Sequence, residues 1–449
     1  YKPSKYAGSN KVDEKLIRLW AEESGPAFDF LAEELAEYGI KHVSEYDIAD
    51  GHHGGFKAYP THTKLLVPPL KGGPFAVIHA GIYVLERFFE KKTRSLGAKI
   101  MFNTAMVKLV KEGNRVAGAI ARKKDGSFIR INASKGVLLC TGGYAAREEM
   151  VARVNPEATA ISCLRFVQPG NFGDGIRAGL WVGAAKDDYP SAMVFDRGIS
   201  MPGGRSDLPI RPGGSFDSFF FGSQPFMKVN MDGKRYCNES VPYDIILNPL
   251  QNEKNGVACM IWDSNYWEHV KSFNTIGCSR MVPSKSRPKT YEGMGRFMNS
   301  GMLMMMRLKG YIKKARTVEG LARKLRLPVE EFRATVERYN QMAMTGEDRD
   351  FGKPAKDLLA LEKPPYYGVT YGGWLLTTMD GLRINENIQV VDRNGVAIEG
   401  LYAAGDVAGG FFANNFYPEL VVGVAVGKSM TFARHAVLHM TDRLKTVES

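Results

Sequence analysis

Two short apolar runs, each stopped by glycine, constrain this chain more than any other feature. Gly136-Val-Leu-Leu-Cys-Thr-Gly-Gly143 is continuously hydrophobic until it ends on Thr141-Gly142-Gly143. Gly400-Leu-Tyr-Ala-Ala-Gly-Asp-Val-Ala-Gly-Gly410 repeats the pattern near the other end of the chain. A strand without polar alternation suits burial on both faces, as in a parallel sheet covered by helices. A glycine turn at its end lets backbone approach a flat ring or a diphosphate closely. A plain strand end reads the same way, because many α/β proteins contain such a turn.

The surrounding pattern is of mixed type. Residues 13–24 carry Leu16, Leu19 and Trp20 at helical spacing, and Gly25-Pro26 then interrupts the periodicity. Phe28, Leu31, Leu35 and Tyr38 restart it as a second helix, stopped at Gly39. Another helix is predicted over residues 76–96. Strands follow at 106–110, 116–122 and 128–132, separated by Gly113-Asn114 and Asp125-Gly126 turns. Gly173-Asp174-Gly175 opens a helix that stops near Gly183. A helix start favours anions, yet a carboxylate at that place also serves simply as a cap. Residues 190–376 change character, rich in aromatics, Met and Pro, and are helical over 318–340. Strands at 389–392 and 400–404 and a helix over 424–439 complete the chain.

Charge and cysteine content narrow the function classes. The net charge is +12, with Lys and Arg spread along the chain rather than clustered. That distribution suits a solvated surface first, an acidic redox partner second and nucleic acid last. Five cysteines, Cys140, Cys163, Cys237, Cys259 and Cys278, form no C-x-x-C pair. The pattern therefore carries no zinc, haem or iron–sulfur signature, and no metal is expected. His52 and His53 are adjacent in a Gly-rich loop, which does not make a metal site. No run of about 18 apolar residues is present, so no membrane span is expected.

Taken in order and spacing, the two glycine runs, Gly173-Asp-Gly175 and Val229-Asn-Met-Asp-Gly-Lys-Arg-Tyr-Cys-Asn-Glu239 resemble the flavoprotein family of fumarate reductases, urocanate reductases and 3-ketosteroid dehydrogenases. The similarity extends through residues 325–339 and Pro364-Pro365-Tyr366-Tyr367 and covers essentially the whole chain. It implies an α/β fold with an α+β cap. A Rossmann-like FAD-binding domain is built from both chain ends (1–189 and 377–449), and a capping domain (190–376) is inserted between them. It also implies FAD as cofactor, held by Val107, Thr141, Gly142, Gly143, Asp174, Gly405, Asp406, Leu420 and Val421. Hydride would pass between the flavin and a substrate carbon. The family opens with a G-x-G-x-x-G strand–turn–helix unit for the ADP diphosphate, and this sequence lacks it. A preceding segment of roughly 60–100 residues carrying that βαβ unit is therefore expected.

Three departures bear on substrate. The family's His-Thr-Met-Gly-Gly turn reads Thr377-Thr378-Met379-Asp380-Gly381 here, which puts Thr377 where a carboxylate-gripping His stands. The family's Gly-Ala-Asn-Arg clamp falls on Ala413-Asn414-Asn415-Phe416, so the Arg position is Phe416. A dicarboxylate would lose two charge-assisted contacts of about 1.5–3 kcal/mol each. Fumarate is thus disfavoured, and Asn415, Phe416 and Tyr417 suit an aromatic or polycyclic unsaturated substrate. The family's proton-donor Arg falls on Tyr243, which reads as the acid or as a buried aromatic. Arg383, on the strand after the Thr377 turn, is a further candidate for flavin or substrate. These readings point to a FAD-dependent reductase of an activated alkene fed by a separate electron donor, a cytochrome or other redox protein. The alternatives are a ketosteroid-type flavin dehydrogenase, which runs the reverse reaction and forms the double bond, and a non-catalytic electron-transfer flavoprotein.

Overall fold

The computed structural model describes residues 12–44, 63–66, 76–165, 170–206, 209–212, 219–273, 275, 281, 300–412, 417–418 and 421–444. The first helix, α1, runs unbroken over Glu14–Ala36 through Gly25 and Pro26, where the sequence pattern predicts two helices. An interior proline removes a backbone donor and crowds the preceding turn, at about 3 kcal/mol. Burial on both sides offsets this. Leu16, Ala27, Leu31 and Leu35 are all buried, and full burial of a leucine contributes roughly 1.5–3 kcal/mol. Asp13 caps the helix, accepting from Lys15 N at 3.0 Å.

After α1 come a short antiparallel pair, β1 (Lys41–Ser44) and β2 (Thr63–Leu66), and helix α2 (Ala76–Ser95). The expected meander is present as β3 (Thr104–Glu112), β4 (Arg115–Lys123) and β5 (Phe128–Asn132). Gly113 and Gly126 turn it with φ of 59° and 87°, conformations open to glycine without strain. Then follow β6 (Val137–Leu139), α3 (Glu148–Val154), α4 (Pro156–Ile161), β7 (Ser162–Arg165), α5 (Asp174–Trp181), β8 (Ala192–Ser200) and β9 (Arg211–Pro212). The chain continues with β10 (Met227–Asn230), α6 (Tyr243–Leu247), β11 (Ala258–Trp262), α7 (Tyr266–Phe273) and β12 (Lys313–Ala315). The region predicted as helical over 318–340 is two helices, α8 (Val318–Leu325) and α9 (Val329–Thr345), separated where Arg326 takes φ 62°. The last elements are β13 (Tyr366–Thr378), β14 (Gln389–Val391), β15 (Ala397–Ala403) and α10 (Val424–Met440).

Beyond the β1–β2 pair, two larger sheets organise the strands among the described residues. A six-stranded sheet has the order β14-β15-β4-β3, with β5 on β4 and β6 on β15. Its β6 and β15 are parallel and in register, Leu401 opposite Val137 and Ala403 opposite Leu139, so the two glycine-stopped runs lie side by side. A seven-stranded sheet gathers β7 to β13 around the long β13. Strand β8 runs antiparallel to β13, from Thr370 opposite Ser200 to Thr378 opposite Ala192. Most of that sheet comes from residues 190–376, and β7, which precedes them, joins by parallel pairing with β13. Helix α10 packs on α1 and against β15. Among the described residues, no helix is long and apolar enough to cross a membrane.

Candidate functional site

Because β6 and β15 run in the same direction, their glycine turns emerge at one edge of the sheet. The crevice beyond the carboxyl ends of parallel strands is where such folds bind ligands. Ala404 N donates to Leu139 O at 2.9 Å, holding the turns together. Gly142 has φ 68°, and a side chain on it would strike Asn171 Oδ1 at 2.2 Å. On Gly143 a side chain would meet Thr378 Oγ1 at 2.3 Å. Gly405 is different: at φ 81°, a side chain would find nothing nearer than Ser429 Oγ at 3.7 Å. The first turn is therefore packed tightly against protein, while the second has open space beside it.

The Thr377–Gly381 segment ties the turns to the start of the second sheet. Thr377 Oγ1 donates to Asp406 Oδ2 at 2.7 Å, and Tyr144 N donates to Thr378 Oγ1 at 2.8 Å. Asp380, fully buried, accepts from Lys186 Nζ, from Tyr144 OH at 2.8 Å and from Ser191 N at 3.1 Å. Burial pushes its carboxyl up while Lys186 opposes that. Next to it, Asp187 accepts from Gly410 N at 3.1 Å and Gly381 N at 3.3 Å. Burial pushes Asp187 up to about 6, the two glycine N–H groups pulling the other way. Burial, then Asp380, hold the Tyr144 phenol well above its ordinary range. Sequence reasoning assigned no role to Lys186, Asp380 or Lys428. Only Asp380 left a signal, an acid where the family's turn has glycine.

The structure distributes the sequence candidates unevenly. Tyr243 opens α6, is buried, and packs edge-on to Phe195 at 4.8 Å between centroids. Its neighbour Asp244 accepts from Tyr417 N at 2.9 Å, which fastens α6 to the segment following the Gly405 turn. Tyr417 in turn lies 5.7 Å from the Phe412 ring, and its hydroxyl accepts from Ala425 N at 3.3 Å in the first turn of α10. Val107 sits at a register shift between Met106 and Lys108 and has no partner residue across the ladder. Val421 forms a turn, donating to Pro418 O at 2.8 Å and accepting from Val424 N at 3.2 Å. Asp174 lies in the first turn of α5, half-exposed, 3.4 Å from Arg177 and 3.9 Å from Arg147. Arg383 faces the surface, where it pairs with Asp188. It lines a cavity of about 1150 Å³ with Lys15, Glu386, Gly410 and Phe412. Asn415, Phe416 and Leu420 lie outside the described residues.

The crevice fits a flavin. Thr141 Oγ1 is buried with no hydrogen-bond partner, a donor and acceptor left for a ligand. Gly405 presents open space, and the N-cap of α10 is Gly423, at φ 84°. Its Val424 N and Ala425 N are already taken, by Val421 O at 3.2 Å and Tyr417 OH at 3.3 Å, so the fit rests on Thr141 and the open turn at Gly405. Comparison with known proteins agrees. A protein named vinyl phenol reductase, from Lactiplantibacillus plantarum, is 26% identical over 362 residues, 79% of this chain and 71% of that protein. A 3-oxosteroid 1-dehydrogenase of Mycobacterium tuberculosis is 29% identical over 377 residues, 77% of this chain and 60% of that one. The crystal structure of 3-ketosteroid delta1-dehydrogenase from Sterolibacterium denitrificans shares the fold, with a TM-score of 0.65, 19% identity, and coverage of 98% of this chain and 87% of that one. A sequence profile of the FAD binding domain family matches residues 4–416; the chain belongs to that family, and FAD is its cofactor.

Proposed function

We propose that this chain reduces an activated carbon–carbon double bond, with Tyr243 as the proton donor. As an enzyme it is a FAD-dependent oxidoreductase acting on CH–CH or C=C groups. The observation that carries the finer reading is the hydrogen bond from Tyr417 N to Asp244. It sets the first turn of α6, and with it Tyr243, against the segment that follows the Gly405 turn. Bound FAD supplies a hydride when reduced. Thr141 and the backbone at Gly405 would hold and orient it. Tyr243 keeps a proton at its hydroxyl for the alkene carbon that gains carbanion character, and solvent returns the proton afterwards. A phenol has a reference pKa of about 10, so it carries that proton at neutral pH.

The substrate reading follows from what the wall offers. Thr377 already donates to Asp406, and a substrate carboxylate there would face that acid rather than a cation. Phe195, Trp374 and Phe412 are buried aromatics near Tyr243 and Tyr417. A vinyl-aromatic or polycyclic enone suits these better than fumarate does, in keeping with relatives named for a vinyl phenol and a 3-oxosteroid. Electrons come from a separate donor, a cytochrome or other redox protein. The net charge of +12 favours an acidic face on it, so turnover with that donor falls as salt rises. The test is anaerobic: chemically reduced holoprotein is mixed with 4-vinylphenol, a 3-oxosteroid dienone or fumarate, and flavin reoxidation is followed. Reoxidation by an aromatic or polycyclic alkene and none by fumarate is expected. Reoxidation by fumarate alone overturns the substrate reading, and reoxidation by no alkene overturns the reaction.

A further inference from the structure

Lys428 is fully buried in the second turn of α10, beneath the Gly405 turn. Its ammonium donates to Gly405 O at 3.1 Å and Ala408 O at 3.2 Å. The rings of Phe411 and Phe412 close around it, at 5.8 and 5.1 Å. Burial pushes its pKa down, and the nearby acids Asp406 and Asp187 work the other way to keep its charge. Taking an ammonium out of water carries a penalty of several kcal/mol. Methionine would fill the same volume without that penalty. At Gly405 O the lysine is a second donor, because that carbonyl also accepts from Ala408 N at 3.1 Å, whereas at Ala408 O it is the donor, a bond that a neutral amide could also make. A neutral donor would serve the carbonyls, so it is the charge, retained at such a cost directly under the open turn of a flavin site, that calls for a role.

We propose that Lys428 is a positioning residue of the FAD site, whose ammonium fixes the Gly405–Val407 turn from beneath and provides a buried positive charge that favours reduced over oxidised flavin. Two-electron reduction with uptake of one proton leaves the ring system with one added negative charge. A fixed cation near the turn stabilises that form more than the neutral one. Removing it also leaves Asp406 and Asp187 less compensated, which acts in the same direction. The inference rests on FAD binding and not on the identity of the alkene.

The experiment compares holoprotein of the wild type, Lys428→Met and Lys428→Arg. FAD affinity is measured by titrating apoprotein, and the midpoint potential by dithionite reduction against a reference dye. Lys428→Met should lose about tenfold in preference for reduced over oxidised FAD, about 30 mV for a two-electron couple, and bind FAD more weakly. Lys428→Arg keeps the charge and should keep the potential. A wild-type potential in Lys428→Met, or equal shifts in both variants, overturns the proposal, since a packing role alone moves affinity but not potential. Should Lys428→Met fail to hold FAD, Lys428→Gln keeps an amide NH2 donor group without the charge and is read by the same two outcomes.

Discussion

Breaking the Lys186–Asp380 pair should have consequences that depend on which partner is removed. Asp380 is fully buried, whereas the Lys186 side chain keeps 16% of its surface exposed. Lys186→Met strands a carboxylate that retains only Tyr144 OH and Ser191 N as donors. Loss of one partner of a buried pair costs about 3–5 kcal/mol. Protonation sets a ceiling on that cost. Neutralising a carboxyl of reference pKa about 3.9 at pH 7 takes about 1.36 kcal/mol for each of three pH units, about 4 kcal/mol in all. Asp380→Asn instead strands an ammonium that can turn to water, so about 2 kcal/mol is expected. The double variant buries no charge and should recover most of the loss. In Lys186→Met the folded-state pKa of Asp380 rises further above its unfolded value. Its stabilising share is then present below the unfolded pKa and lost as pH rises, so the Lys186→Met defect should shrink between pH 7 and pH 5. Urea unfolding midpoints of the three variants at both pH values measure this. If Asp380→Asn is the more damaging single change at pH 7, or the Lys186→Met defect ignores pH, the electrostatic account of this junction is wrong.

Asp187, with a folded pKa of about 6, contributes stability below its unfolded pKa of about 3.9 and loses it as pH climbs through 6. Asp187→Asn should therefore gain on the wild type across that window, by roughly 1–2 kcal/mol after solvent screening; a melting-temperature difference that stays constant from pH 4 to pH 7 refutes this. Gly143→Ala places a methyl 2.3 Å from Thr378 Oγ1 and 2.6 Å from Thr378 O. It should lower FAD affinity by tenfold or more in apoprotein titrations, and unchanged affinity would show that the turn can shift freely.

What was legible in the sequence was what repeats locally. The meander announced itself by alternation and by Gly113 and Gly126, and α10 by its spacing. The two glycine runs were recognisable as strand ends, and they do lie side by side. The break expected at Pro26 failed because the burial of Leu16, Ala27, Leu31 and Leu35 outweighs the local cost of a proline. The Lys186–Asp380–Tyr144 junction was invisible for a different reason. Its members are far apart in sequence and meet only when β8 pairs along β13. Lys428 falls on the same face of α10 as Val424, Phe432 and Ala436, but its charge gives no sign of burial, and the docking of α10 beneath the Gly405 turn encloses it. Arg383, promising by its position after the Thr377 turn, is drawn to the surface by Asp188.

The most direct test of the account is single-turnover reoxidation of Tyr243→Phe. The substitution keeps the ring packed on Phe195 and removes only the hydroxyl. Holoprotein reduced by an artificial donor is mixed anaerobically with whichever alkene reoxidises the wild type fastest. Flavin reduction should be unchanged, and reoxidation should slow by about 100-fold or more, the scale of a general-acid contribution. Reoxidation of Tyr243→Phe at the wild-type rate would contradict the assignment and make Tyr243 a packing residue.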